Sequence, residues 1–266
     1  MQNYIQSLLG STHHTFLQGS YKNDTATSDI NDVDIVAVRL TTYSGTFSPH
    51  RSDKMILWDQ IFAEIEAKLR NQNRYSWTVD RGDKCINIRG AFNADVVPAV
   101  QVDRDHTKDP IVVFSFRDDK EKNNYPRVHY ENGVQKNQDT DGNYKPMVRL
   151  FKNWAQNHFG DNKAIVSSFK TEALVHNGRN THFSDDHAES FLNLADGIVN
   201  QLNLRSLMPA RILSVCGKED ISENWDLSGK TSFASQLLES LAYARAAYNA
   251  TSSDVAEQNW RMAFNM

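Results

Sequence analysis

Cysteine is nearly absent from this chain: Cys85 and Cys216 are the two in 266 residues, far apart and without a CxxC pair or a companion histidine motif. Neither a disulfide framework nor a zinc site is therefore expected, and both thiols read as reduced bystanders. Long apolar runs are missing too. No stretch approaches the roughly 18 uninterrupted apolar residues of a membrane span, and the opening MQNYIQSLLGSTHH lacks the basic-then-apolar layout of a secretion signal. The expected location is the cytoplasm, with no membrane partner. A surplus of positive charge is also lacking, since 29 Lys and Arg stand against 33 Asp and Glu, a formal charge of -4. That balance argues against a surface that coats long nucleic acid. It leaves room for a local basic pocket that takes a small nucleotide.

Material for a core is present. The hydrophobic fraction is 39%, with thirteen Phe, nine Tyr and five Trp, as in globular proteins. A chain of this length is near the upper end of what one core supports, so two lobes of one unit and two domains are equally compatible with length. Helical spacing in NYIQSLL precedes a short strand, HTFLQ, that ends at Gly19-Ser20. DVDIVAVRL then alternates with period two, which places Asp32, Asp34 and Val36 on one face and Val33, Ile35 and Ala37 on the other. Ser52 is a candidate cap for a helix through KMILWDQIFAEIEAKLR that would cover the sheet with Ile56, Phe62, Ile65 and Leu69. Strand-like runs follow near RYSWTV, KCINIR, FNADVVPAV and IVVFSF. The polar stretch from Arg117 to Tyr144 reads as a surface connection. Beyond it the spacing is helical in MVRLFKNWAQNHF, SSFKTEALVHN, HAESFLNLADGIVNQL and TSFASQLLESLAYARAAY, with WRMAF behind. The expected architecture is α/β (α+β): a lobe with a mixed sheet over residues 1–140 and a helical bundle lobe over 141–266, joined as one bilobal unit.

Asp32 and Asp34 sit two apart in a strand that is otherwise Val, Ile and Ala. Carboxylates so close to each other and to a core resist ionising unless something neutralises them. A divalent cation does so, and Mg2+ takes one or two carboxylates together with substrate phosphates. Asp95 interrupts the apolar strand AFNADVVPAV. Three such acids can hold two ions, one to activate an attacking hydroxyl and one to clamp a triphosphate. Gly19 and Ser20 end a strand where backbone N–H groups and a hydroxyl can meet phosphate oxygens. Each feature alone has a plainer reading, a turn for Gly-Ser and a solvated strand end for the acidic pair. Their combination favours a site.

FLQGSYKNDTATSDINDVDIVAV followed by ADVVPAV resembles the polymerase-β-type nucleotidyltransferase signature. The likeness is nearest to the bacterial CD-NTases, the cGAS/DncV-like nucleotidyltransferases, and extends through NYPRVHYENGVQKNQDT, YKPMVRLFKNW and SFKTEALVHN. It implies a catalytic lobe that carries Asp32, Asp34 and Asp95 as catalytic metal ligands, and a helical lobe that completes the nucleotide site. It also implies nucleotide contacts from Gly19, Ser20, Lys152 and Ser168. The implied cofactor is Mg2+, with Mn2+ as a substitute. The implied substrates are ribonucleoside triphosphates, ATP first and UTP, CTP or GTP as alternatives. The implied product is a cyclic di- or oligonucleotide second messenger of antiphage (CBASS) signalling, read by a separate downstream effector. An alternative within the same fold modifies an RNA, small-molecule or protein acceptor. A catalytically dead nucleotide-binding protein would be expected to have lost an acid, and all three acids are present.

On the helix from Lys145, the residues Lys145, Arg149 and Lys152 recur at i, i+4 and i+7, opposite Met147, Val148, Phe151, Trp154 and Ala155. This reads as a cationic face against a packing face, and a solvated charged face is the plainer account. Ser168 is equally placed to cap the helix SFKTEALVHN. Tyr21, Lys22, Lys136, Asn137 and Thr140 are weaker candidates for an acceptor side or lid. Tyr144 and Trp225 are candidates to stack on a base or to pack in the core. His13, His14 and His187 show no metal-ligand spacing.

Overall fold

A mixed sheet organises the first part of the chain and a bundle of helices the rest. The computed structural model describes residues 1–27, 32–44, 57–90, 92–102, 104–202 and 211–266. Two units are distinguished, Met1–Tyr130 and Glu131–Met266. The proposed cap Ser52 and the helix residue Ile56 lie outside the described residues.

In the first unit α1 (Gln2–Leu9) leads into β1 (His13–Gln18), the short helix α2 (Gly19–Asn23) and β2 (Val33–Tyr43). After α3 (Trp58–Arg70) come β3 (Trp77–Arg81), β4 (Ile86–Gly90), β5 (Ala94–Gln101), β6 (Ile111–Ser115) and β7 (Lys120–Asn124). The sheet runs β1-β2-β5-β4-β3, with β6 paired to β5 and β7 to β6. The β2 and β5 strands are parallel and the other pairs antiparallel, so the sheet is mixed.

Period-two alternation sends the two sides of these strands to different places. Ile35 and Ala37 of β2, Val96 and Val100 of β5, and Ile86 and Ile88 of β4 pack with Ile5 and Leu9 of α1 and with Ile61, Phe62, Ile65 and Leu69 of α3. Val36, Val38, Val97 and Ala99 gather instead with Ile111 and Val113 of β6. Asp34 and Asp95 alternate with the first set, so they lie on the face that α1 and α3 do not cover. A one-residue slip of β2 would drive Asp34 under α3, so the apolar pattern fixes where the acids point.

The polar stretch after Arg117 is not a loop. It forms β7 and then α4 (Pro126–Asp139), which buries no side chain. With no apolar stripe, α4 carries no helical period. Its start is fixed from afar: Asp109 Oδ2 accepts from the N–H groups of Arg127 (2.8 Å) and Val128 (2.9 Å), a cap supplied by the loop before β6.

The division between the units falls inside α4. The second unit continues with α5 (Tyr144–Phe159), α6 (Ser168–His176), α7 (His187–Leu202), α8 (Leu227–Tyr248) and α9 (Ser253–Phe264) around a core that includes Phe151, Trp154, Phe191, Leu194 and Phe233. Trp154 donates its Nε1–H to Ser240 Oγ at 2.9 Å, which satisfies a polar atom inside that core. Tyr144 and Trp225 belong to the same core, 0% and 3% exposed, so neither offers a face for a base. Among the described residues no helix is long and apolar enough to cross a membrane.

Candidate active site

The sheet assembles the acids by register. Asp32 stands just before β2, and Asp34 and Asp95 are the second residues of β2 and β5. In the parallel pair, Val33 lies beside Ala94 and Asp34 directly beside Asp95. The antiparallel pair on the other side puts Gln18 opposite Asp34, so the chain leaves β1 where the Asp34 carboxyl begins. Gly19 turns there with φ 73, a left-handed conformation that glycine adopts without strain. A Cβ on Gly19 would lie 2.0 Å from Asp34 Oδ2. Gly19-Ser20 is thus the first turn of α2 and not an open strand end, and the missing side chain is what leaves space for the Asp34 carboxyl.

Burial, reinforced by Asp95 and then Asp32, raises the Asp34 pKa to about 6. Burial, with Asp95 and Asp34 adding to it, pushes the Cys85 thiol up to about 12. It stays a neutral thiol, with Cys85 Sγ donating to Asn87 Oδ1 at 3.1 Å.

Arg89 of β4 is the neighbour that sequence reading missed. Its Nη1 lies 2.9 Å from Asp95 Oδ1 and 3.3 Å from Asp32 Oδ1. The signal was present: Ile86 and Ile88 face the helices, so Asn87 and Arg89 must take the acid-bearing face, and Asn87 pairs with Asp95 in the ladder. Asp32 Oδ1 and Asp95 Oδ1 are buried and receive no hydrogen bond. Acceptor oxygens left in this state, all from carboxylates, fit a hard divalent cation. Among the described residues no three His, Cys, Asp or Glu side chains form a ready-made ligand cluster. Two of the three acids instead share the guanidinium.

In the second unit, Lys152 and Ser168 line one cleft together with Gln156, Lys163, Ser167 and Thr171. Lys152 does not lie on a solvated cationic face. Val148, Lys152 and Ala155 share a helical side, and all three are buried. Lys152 Nζ is 2.7 Å from Glu172 Oε2, each side chain 6% exposed, and such a pair offsets the cost of burying either charge. The cap of α6 is Ser167, which accepts from Lys170 N–H. Ser168 is the exposed first residue of the helix, which overturns the capping role considered for it.

The weaker candidates divide in the same way. Lys22 sits 4.2 Å from the ring centroid of Tyr130, and Tyr21 is exposed. Lys136 donates to Gly178 O and Asn180 Oδ1, Asn137 Oδ1 accepts from Lys145 N–H, and Thr140 Oγ1 accepts from Tyr144 N–H. Those three hold helix ends together.

Comparison with known proteins converges on one family. The model for the cGAS/DncV-like nucleotidyltransferase C-terminal helical domain matches residues 131–242. A cyclic dipurine nucleotide synthase of Elizabethkingia meningoseptica is 33% identical over 218 residues, 71% of this chain and 72% of that protein. A cyclic UMP-AMP synthase of Rhodothermus marinus is 28% identical over 224 residues, 77% of this chain and 75% of that protein. The solved structure of the Elizabethkingia meningoseptica CdnE cyclic dinucleotide synthase with GTP and Apcpp superposes with a TM-score of 0.70 at 27% identity, covering 88% of each chain.

Proposed function

The chain belongs to the cGAS/DncV-like nucleotidyltransferases, and from that premise we propose that it joins ribonucleoside triphosphates into a cyclic di- or oligonucleotide and releases pyrophosphate. The observation that carries this reading is the parallel register of Asp34 with Asp95, closed on one side by a glycine that leaves space for the carboxyl.

Asp32, Asp34 and Asp95 are the residues that would hold Mg2+, or Mn2+ in its place. Bound there, the ion supplies positive charge that lowers the pKa of a ribose hydroxyl and offsets charge on the departing phosphates. The rest falls to the chain. Asp95 orients the attacking hydroxyl, and the Ser20 hydroxyl donates to phosphate oxygens beside the space that Gly19 leaves. Lys152 and Ser168 are the proposed contacts for the triphosphate tail, where a buried cation and an exposed hydroxyl line one cleft. The ribose hydroxyl releases its proton to water as its oxygen bonds to the α-phosphorus, the bond from that phosphorus to the bridging oxygen breaks, and pyrophosphate carries the electron pair away. Each further bond releases another pyrophosphate, and the last bond closes the ring. ATP is the proposed first substrate, with UTP, CTP or GTP as partners. The product acts as a second messenger on a separate effector in antiphage defence, the role of this family in CBASS systems.

Incubation of the purified protein with the four ribonucleoside triphosphates and Mg2+ or Mn2+ tests this. A small product that resists phosphatase and disappears with EDTA is expected. Label that enters only an added RNA or small-molecule acceptor would contradict the proposal.

A further inference from the structure

Arg89 stands where a metal would compete with it. Its Nη1 donates to Ile88 O (2.9 Å) and Ala94 O (3.2 Å) and lies 2.9 Å from Asp95 Oδ1 and 3.3 Å from Asp32 Oδ1. Nη2 donates to Asp32 Oδ2 at 3.4 Å. The two backbone carbonyls aim the guanidinium across the end of β5, and the acid before β2 completes the bridge. Arginine keeps its charge throughout the accessible pH range and carries only donors. It therefore neutralises the two carboxylates without sharing a proton with them.

We propose that Arg89 is a stand-in cation, a positioning residue that holds Asp32 to Asp95 in the metal-free protein and yields those oxygens when a divalent ion and a triphosphate arrive together. The inference rests on the reading of the acids as metal ligands. Mg2+ binds oxygens at roughly 2.0–2.1 Å and tolerates little distortion of its octahedron, so an ion on Asp32 Oδ1 and Asp95 Oδ1 cannot coexist with a guanidinium nitrogen already pressed on both. Displacing Arg89 leaves a cation in need of an anion. A triphosphate offers one, because the guanidinium fork matches phosphate oxygens in pairs. Metal alone must therefore displace Arg89 without compensation, whereas metal and nucleotide together do not. Binding of the two is positively coupled through this side chain.

Mn2+ titration of the nucleotide-free protein, followed by electron paramagnetic resonance or calorimetry, tests the inference without reading activity. Arg89→Gln removes the charge and shortens the side chain while keeping it polar, and is expected to bind Mn2+ at least tenfold more tightly than wild type. A non-hydrolysable ATP analogue should then raise its Mn2+ affinity by a smaller factor than it does in wild type. Arg89→Lys, which keeps charge but cannot bridge both acids, should fall between the two, and it decides the matter should Arg89→Gln not fold. Equal or weaker Mn2+ binding by the folded variants, alongside clear binding by wild type, would overturn the role of Arg89 alone. No Mn2+ binding by any form, with or without the analogue, would overturn the metal site as well.

Discussion

Asp34→Asn should abolish nucleotide joining and at the same time make the metal-free protein more stable. Loss of a ligand that places positive charge at the reacting phosphate is expected to lower the rate roughly a thousandfold, several kcal/mol of barrier. Stability moves the other way. The Asp34 pKa is raised from 3.8 to about 6 by burial and by Asp95 and Asp32, so the folded protein holds this proton more tightly than the unfolded chain does. Above pH 6 the carboxylate is charged in both states, and the folded state carries the whole penalty. As pH falls from 6 towards 3.8 the folded form takes up its proton first and the penalty disappears. Asparagine never carries it. Chemical denaturation in EDTA at pH 7.5 should therefore show Asp34→Asn more stable by about 2 kcal/mol, less than the full shift converts to because the carboxyl is only partly buried. The advantage should shrink as pH falls below 6 and vanish below 3.8. A variant that is inactive and less stable than wild type at pH 7.5 would mean that Asp34 holds the fold and not a ligand position.

Gly19→Ala is the second large effect. The added methyl would stand 2.0 Å from Asp34 Oδ2, and the backbone at φ 73 disfavours any side chain. Backbone strain of this kind costs about 1 kcal/mol, a modest loss in melting temperature. Function should suffer far more, because the methyl relieves the clash by moving the carboxyl. Displacement of a catalytic group by an ångström is worth on the order of a hundredfold in rate. A fall of that size in product formation, with a cooperative melt only a few degrees lower, is the expected pair of readings. Full activity in Gly19→Ala would show that the position of Asp34 does not matter to the reaction.

Much of this was legible in the residues because the relevant forces are local. Alternation in DVDIVAV fixed the face of Asp32 and Asp34. The same rule applied to ADVVPAV put Asp95 on that face once the strands paired in parallel. The bundle helices announced themselves through apolar stripes such as Met147, Phe151 and Trp154. What stayed hidden depends on partners remote in sequence. The α4 helix has no buried side chain and takes its cap from Asp109, although Pro126 at its first position was a usable sign. The β7 strand, Lys-Glu-Lys-Asn-Asn, exists because β6 offers it an edge. Lys152 looked solvated on charge spacing alone, and its burial required Glu172 from the next helix. Arg89 was readable in principle, since Ile-Asn-Ile-Arg alternates as cleanly as the acid strands do. Its position across two acids needed the β4–β5 register.

The most direct test of the acid trio compares wild type with Asp95→Asn on mixed ribonucleoside triphosphates and Mg2+, with products resolved by mass spectrometry and folding checked by circular dichroism. Wild type should yield a cyclic nucleotide, and folded Asp95→Asn should yield none above about a thousandth of that amount. Comparable yields from the two proteins would contradict a reaction that depends on Asp95 beside Asp34.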